Sequence, residues 1–504
     1  MKLNILNRGL WCLTAVLFFS CSLDRDPISE YSEVILGSSD EEGERIRFED
    51  RSDVLAQYES MYNLFRDRQE HWYVDYLLIN EARADNAYAG TTGAEVEPFE
   101  TNALNAGNSV VTRDWNRYME DIARATLIIE NIDDVPDPSF AESERQEWKA
   151  EAKIFRAMIM LDMARLWGNF PIITEVPEDI TSDNILEVWP AYFPSQNSQI
   201  EAYERIVEDL LAALPYAPDT GSDKTVLTKA VANSLLAKAY AEKPIQDYSK
   251  VIEYCNAVIN DGFELVDDYS LLFGMNSEGT DIAMRNSSES IFETHFYTGS
   301  GNWASWMFGR DVLNWDSMFD WAKWVTPSRD LISEFLNEGD DIRYNESIVY
   351  YEAGWSIYYP SDNYPFMYKL RSANSSIIRL RLADILLLKA EALAWTGDLD
   401  GAADIVDKIR ARVNLDPLSS SQRNSQNEMV DAVLHERRLE LAFEGHRLFD
   451  LIRNNRLQEV MNTINHRDEG RLPQARTFDE NSELLPIPQT VLDENSNLEQ
   501  NPGY

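Results

Sequence analysis

Five tryptophans, Trp303, Trp306, Trp315, Trp321 and Trp324, stand within 22 residues in the run GNWASWMFGRDVLNWDSMFDWAKW. Sugars present apolar C–H faces ringed by hydroxyls. A flat aromatic ring stacks on such a face while neighbouring amides, carboxylates and guanidiniums bond the hydroxyls. Asn302, Arg310, Asp311, Asn314 and Asp316 stand among these rings. Rings of this kind also fill cores, and the spacing of Trp321 and Trp324 beside Met318 is helical, which suits core or partner contact for one of them. A second stretch, INEARADNAYAG, offers Arg83, Asp85 and Asn86 as hydroxyl partners and Tyr88 as a platform. Its competing reading is a capped helix end with ordinary turn residues. The candidate glycan-binding residues are therefore Trp303, Trp306, Trp315, Trp321, Arg83, Asp85, Asn86 and Tyr88.

Other chemistries find little support. The five histidines, at 71, 295, 435, 446 and 466, are scattered, and no cysteine cluster or glycine-rich phosphate loop exists, so no metal, cofactor or catalytic group is assigned. The turn NEGDD (337–341) could hold a cation, but solvated turns of this type are commoner, and GDLDG (397–401) reads as a turn between helices. In ERRLELAFEGHRLFDLIR, His435-Glu436 lacks the second histidine of a zincin helix. Its stripe of Leu439, Ala442, Phe443, Phe449 and Ile452 makes it a packing helix, with Arg437, Arg438, Glu440 and Glu444 free to pair along the flanks. A net charge of −42 opposes nucleic-acid binding, which needs phosphate neutralisation, and opposes adhesion to anionic lipid. Neutral ligands fit better. With 87 acidic residues, carboxylate pairs at hydrolase spacing remain a competing reading, a surface glycosidase.

The elements that position these residues are mostly helical. Apolar residues recur at helical spacing over 53–68, 114–132, 147–167 and 199–214, with Gly168 and Pro171 ending the third and Pro215 the fourth. Two later segments read as helical hairpins, one turning at Pro244 and one at Gly397-Asp398. In the second, Ala390, Leu393, Gly397, Ala402 and Val406 follow a tetratricopeptide-like pattern of small residues that lets two helices pack closely. Residues 270–376 show little sustained helical period. SIFETHFYT alternates like a strand, and YYEAGWSIYYPSDNYPFMYKL holds strand-like pieces broken by Pro360 and Pro365. The expected fold is all-α, a tetratricopeptide-like hairpin scaffold with a long irregular, partly β, aromatic-rich insertion.

The N-terminus adds a location. Lys2 and Arg8 precede an apolar run from Leu10 to Phe19, too short to span a bilayer, followed by Ser20 and Cys21. This resembles a lipoprotein signal over residues 1–20, with Cys21 taking a diacylglycerol and anchoring the chain to a membrane it does not cross. Cys12 would leave with the signal, and Cys255, in the helical VIEYCNAVIN, would remain as a small buried hydrophobe without a disulfide partner.

Five segments in order resemble the SusD/RagB family: CSLDRDPISEYSE, EAKIFRAMIMLDMARLWGNFPIITE, IRLRLADILLLKAEALAWTGD, ERRLELAFEGHRLFDLIR and LLPIPQTVLDENSNLEQNPGY. The resemblance implies an N-terminal helical region over 21–240 and a C-terminal region over 241–504 that includes the insertion. It implies a surface-exposed outer-membrane lipoprotein that captures glycans or oligosaccharides and delivers them to a SusC-like TonB-dependent transporter, and that is not an enzyme. The RagB branch implies peptides as the alternative cargo.

Overall fold

The computed structural model describes residues 48–90, 93–177, 180, 182–297, 301–307, 325–353 and 358–504. Cys21 and the rest of residues 1–47 lie outside these, as do Trp315, Trp321 and Trp324.

Several helices begin where side chains satisfy their free N–H groups. The first, α1 (Arg51–Asp67), opens on a reciprocal cap between Asp50 and Asp53. The Asn108 side chain caps α2 (Ser109–Asn131). The central α3 (Glu142–Leu166) is buried on nearly every side, and α4 (Gln199–Ala213) opens on the Ser198–Glu201 capping box. Next come α5 (Lys229–Ala241) and α6 (Tyr248–Ile259), joined by the turn Lys243–Ile245. Residues 248–259 hold the fully buried Cys255 thiol, whose pKa burial raises. After the insertion come α10 (Leu382–Thr396) and α11 (Leu399–Arg412), separated by Gly397 at φ 90°, where a side chain would be strained. These helices stack serially, α2 on α3, α3 on α4, α5 on α6, α6 on α10 and α10 on α11. Fully buried alanines at the hairpin seams, Ala237 and Ala239 in α5, Ala390 and Ala394 in α10 and Ala402 in α11, leave room for close approach. The structure is all-α in its scaffold, as the small-residue pattern predicts, and no helix among the described residues is long and apolar enough to cross a membrane.

Three two-stranded antiparallel pairs involve strands of the insertion. β1 (Ala87–Tyr88) pairs with β3 (Thr326–Pro327), β2 (Ser290–Thr294) with β6 (Ile377–Arg381), and β4 (Ile348–Tyr351) with β5 (Tyr364–Met367). SIFET, the first part of SIFETHFYT, is a strand as expected, while Pro365 sits within β5 rather than breaking it. Helices of the insertion include α7 (Trp303–Met307), α8 (Arg329–Glu338) and α9 (Asp341–Ser347). The aromatic composition of 270–376 hides the period of α8, which buries only Leu331 and Phe335 of its large apolar residues. NEGDD is the turn between α8 and α9, with Gly339 left-handed and the Asp340 carboxylate accepting from the Arg343 backbone N–H at 3.1 Å.

ERRLELAFEGHRLFDLIR is two helices rather than one. α12 (Gln426–Glu440) stops at Leu441, and α13 (Arg447–Arg453) begins after a turn in which Phe443 and Gly445 have φ of 63° and 79°. A Cβ on Gly445 would overlap the Tyr76 ring, and its N–H donates to Glu81 at 2.8 Å. The last long helix, α14 (Leu457–Arg467), follows. The charges expected along the flanks are buried instead: Arg437, Arg438 and Glu440 are each at most 6% exposed and pair with other elements.

Helix α1 meets α3 through a buried carboxyl. Glu151 accepts from Tyr58 at 3.0 Å and from Tyr62, and burial raises its pKa to about 7. Glu151 therefore holds its proton in the folded chain where the unfolded chain has lost it. Folding stability from this group is full below about pH 4.5 and falls as pH rises to about 7. Glu151→Gln, which mimics the protonated acid, is expected to remove up to about 3 kcal/mol of this pH dependence, seen as a flatter melting-temperature profile between pH 5 and 8. Parallel profiles for the two proteins would contradict the assignment.

Candidate functional site

Strand β2 leads into the part of the insertion where aromatic rings meet solvent. Thr294 shares a hydrogen bond with Tyr73 at 2.6 Å, and Phe296 is fully buried against the Tyr73 ring. Tyr297 then turns outward and is 51% exposed. The Arg285 guanidinium lies 4.7 Å from its ring centroid, fixed by Asp281 at 2.9 and 3.0 Å and by the carbonyls of Phe296 and Asn374 at 3.1 and 3.2 Å. A cation over a ring face adds about 0.5–1 kcal/mol at an exposed site, so Arg285 holds the ring in one orientation.

Six residues on, Trp303 opens α7 and is 40% exposed. Its backbone N–H donates to Gln69 Oε1 at 2.7 Å, and Gln69 Nε2 donates to the Gly301 carbonyl at 3.0 Å. Asn302 is fully buried and donates to the carbonyls of Ala373 and Ser375, each at 2.8 Å. The turn 372–375, closed on itself by Ser372 and Ser375, thus receives Arg285 from the Tyr297 side and Asn302 from the Trp303 side. Two exposed rings are set on one rigid support, which lowers the entropy cost of ordering them against a ligand. Trp306 belongs to α7 by its backbone. Gln69, Arg285 and Tyr297 were not expected from the sequence. The available signal was the pair of rings bracketing the glycine-rich stretch in YTGSGNW.

The second candidate stretch takes a different place. Arg83, Asp85, Asn86 and Tyr88 are all at most 1% exposed, and their polar atoms are largely engaged within the protein. Arg83 Nη2 donates to the carbonyls of Ser482 and Leu484 at 2.5 and 3.0 Å, and burial lowers its pKa. Asp85 accepts two hydrogen bonds from Arg447 at 2.7 and 2.9 Å. Burial opposes its charge, yet Arg438 and Arg447 hold it well below the usual carboxylate range. Asn86 donates to Glu81 at 2.8 Å and accepts from Arg438 at 2.9 Å. The Tyr88 hydroxyl donates to Asp468 at 2.6 Å, and its ring stacks on Tyr358 with centroids 4.5 Å apart. None of the four presents a surface to a sugar. What they hold is the middle of the insertion: Ser328 donates to the carbonyls of Asn86 and Asp85 at 2.9 and 2.7 Å, and β1 pairs with β3. The second stretch thus packs against residues 326–328, just beyond the tryptophan run.

Residues 289–504 match the SusD family, and residues 39–241 match a family described as starch-binding associating with outer membrane. The chain is 26% identical to SusD-like protein P38 of Formosa agariphila over 92% of this chain and 93% of that one. It is 24% identical to a SusD-like protein of Bacteroides ovatus over 94% of this chain and 87% of that one. Among solved structures it superimposes on a SusD homolog of Bacteroides thetaiotaomicron with a TM-score of 0.74 at 22% identity, covering 91% of this chain and 98% of that one. A laminarin-binding SusD-like protein gives a TM-score of 0.67 at 23% identity, covering 91% of this chain and all of that one.

Proposed function

This chain belongs to the SusD/RagB family, and from that premise we propose that it captures glycans at the cell surface and passes them to a SusC-like TonB-dependent transporter in the outer membrane. Cys21 carries the lipid anchor, and the helical body is held outside a membrane it does not span. The work is binding, without covalent chemistry. The observation that carries this reading is the pair of exposed rings, Tyr297 and Trp303, fixed on the 372–375 turn. Such rings cover the apolar faces of a sugar, and the polar residues around them serve its hydroxyls. Trp306, Trp315 and Trp321 are further sugar contacts in this reading, by residue type alone. The outer-membrane starch-binding family description and the laminarin-binding structural relative support a glycan over a peptide cargo.

Calorimetry against oligosaccharide and peptide pools tests this. Trp303→Ala and Tyr297→Ala are each expected to weaken oligosaccharide binding by about 1 kcal/mol or more, at least fivefold, with the melting temperature unchanged. Wild-type affinity in both variants would remove the platform. Binding confined to peptides would replace the glycan with the RagB-type cargo.

A further inference from the structure

The Tyr297 hydroxyl is engaged on the protein side. It lies 3.3 Å from His295 Nδ1, and the other ring nitrogen of His295, Nε2, lies 2.7 Å from Glu293 Oε1. Glu293, His295 and Tyr297 stand at every second position as the chain leaves β2, the spacing that sets side chains of an extended chain on one face. Exposure rises along the row: Glu293 is 1% exposed, the His295 side chain 13% and Tyr297 51%. A chain of three polar groups therefore runs from the interior to the exposed ring.

The direction of each hydrogen bond follows from the inner end. Glu293 Oε1 accepts the Asn286 backbone N–H at 2.8 Å, so this oxygen is an acceptor. Toward His295 it again accepts, so the neutral imidazole carries its hydrogen on Nε2 and leaves Nδ1 bare. A bare ring nitrogen is an acceptor. The Tyr297 O–H is then the donor to Nδ1, and its proton points into the protein. What the hydroxyl shows to solvent is oxygen lone pairs. Arg285 over the ring face fixes the plane of the same ring, so ring and hydroxyl are both oriented before a ligand arrives.

We propose that His295 is a positioning residue of the binding platform, and that through it the Tyr297 hydroxyl is set to accept hydrogen bonds from the ligand and not to donate them. The subsite at Tyr297 then takes a group that donates, a free sugar hydroxyl, and disfavours a sugar whose hydroxyl at that position is capped as an ether. Glu293 acts one step further back, by fixing the imidazole tautomer. This inference rests on the reading of Tyr297 as a sugar platform, and the experiment separates the two.

Two measurements test it. The first needs no ligand. Nitrogen NMR of the full lipid-free chain with isotope-labelled histidine, at pH 8, reads the tautomer, and the His295 signals are identified by their loss in His295→Gln. Hydrogen on Nε2, a bare Nδ1 and a shift of the Nδ1 resonance in Tyr297→Phe are expected. Hydrogen on Nδ1, or an Nδ1 resonance unmoved in Tyr297→Phe, overturns the proposal. The second is calorimetry with the oligosaccharide pool. His295→Gln can still reach Glu293 but places nothing where Nδ1 stood, and it is expected to weaken binding about threefold or more. His295→Asn, whose amide oxygen falls at the Nδ1 position, is expected to recover most of that loss. In a Tyr297→Phe background His295→Gln should cost nothing further, because its effect passes through the hydroxyl. Additive losses would make His295 a contact or packing residue in its own right and overturn the proposal. Weaker binding in Tyr297→Ala with wild-type affinity in His295→Gln leaves the platform standing and overturns the proposal alone. Wild-type affinity in both, or no binding of the pool to the wild type, overturns the platform reading as well.

Discussion

Glu440→Ala is expected to cost about 3–5 kcal/mol of folding stability, a large part of the 5–15 kcal/mol typical of a folded domain. Glu440 is fully buried. Its carboxylate accepts from Arg381 at 2.6 Å, from Arg343 at 3.2 Å and from Arg412. Burial works against its charge, but Arg412, Arg381 and Arg343 outweigh it and hold the pKa far below the usual range. Each of those arginines reaches a different element. Arg381 ends β6 and also binds Glu289 and Glu444, Arg412 ends α11 and binds Glu289, and Arg343 lies in α9 and binds Glu436. Removing Glu440 leaves three buried cations short of a partner at the point where the insertion, the last hairpin and α12 join. The penalty is the uncompensated charge rather than lost packing. Urea unfolding at pH 7 measures it. A loss under about 1 kcal/mol would show that water reaches the arginines and repays them.

The scaffold was legible in the sequence because its signals are local. Apolar period, capping residues and small residues at the hairpin seams act within a few turns: Ala390 and Ala402 are fully buried in the packed pair α10 and α11, and Gly397 is left-handed in the turn between them. The apolar stripe of ERRLELAFEGHRLFDLIR was legible too, and Leu439, Ala442, Phe443 and Phe449 are buried. Its charges were not. Pairing at i and i+4 is the expectation for a solvated helix flank. Glu440 and Arg437 instead find partners tens of residues away in the chain, such as Arg381 and Asp384, which no local rule encodes. The break at Phe443 and Gly445 comes from the same long range, since the fit of Gly445 against Tyr76 forces it. At the candidate site, exposure depends on long-range packing, and so Tyr297 is exposed while Tyr88 is buried.

Asp85→Asn, at a position that read in the sequence as a sugar contact, is expected to destabilise the chain by about 3–5 kcal/mol, because it removes a charge shared by three arginines. Arg438 and Arg467 would keep Asp330 as a carboxylate partner, and Arg447 would lose the carboxylate it pairs with. The amide keeps the size of the side chain, so packing is a minor part of the loss, and the pH dependence identifies the cause. Burial opposes ionisation of Asp85, and Arg438 with Arg447 reverses that effect, so its folded pKa lies below the unfolded value of 3.8. Its stabilisation is full above that value and is lost as pH falls below it toward the folded pKa. The gap between wild type and Asp85→Asn should therefore stay constant from pH 7 to about pH 5 and narrow below about pH 4. A gap that persists unchanged at pH 3 would assign the loss to the altered hydrogen bonds of the amide rather than to charge. A sugar-contact role predicts the contrary pair of results, weaker oligosaccharide binding with an unchanged melting temperature. The two roles are thus separated by one variant, and the burial of Asp85 beside Ser328 of the insertion favours the clamp.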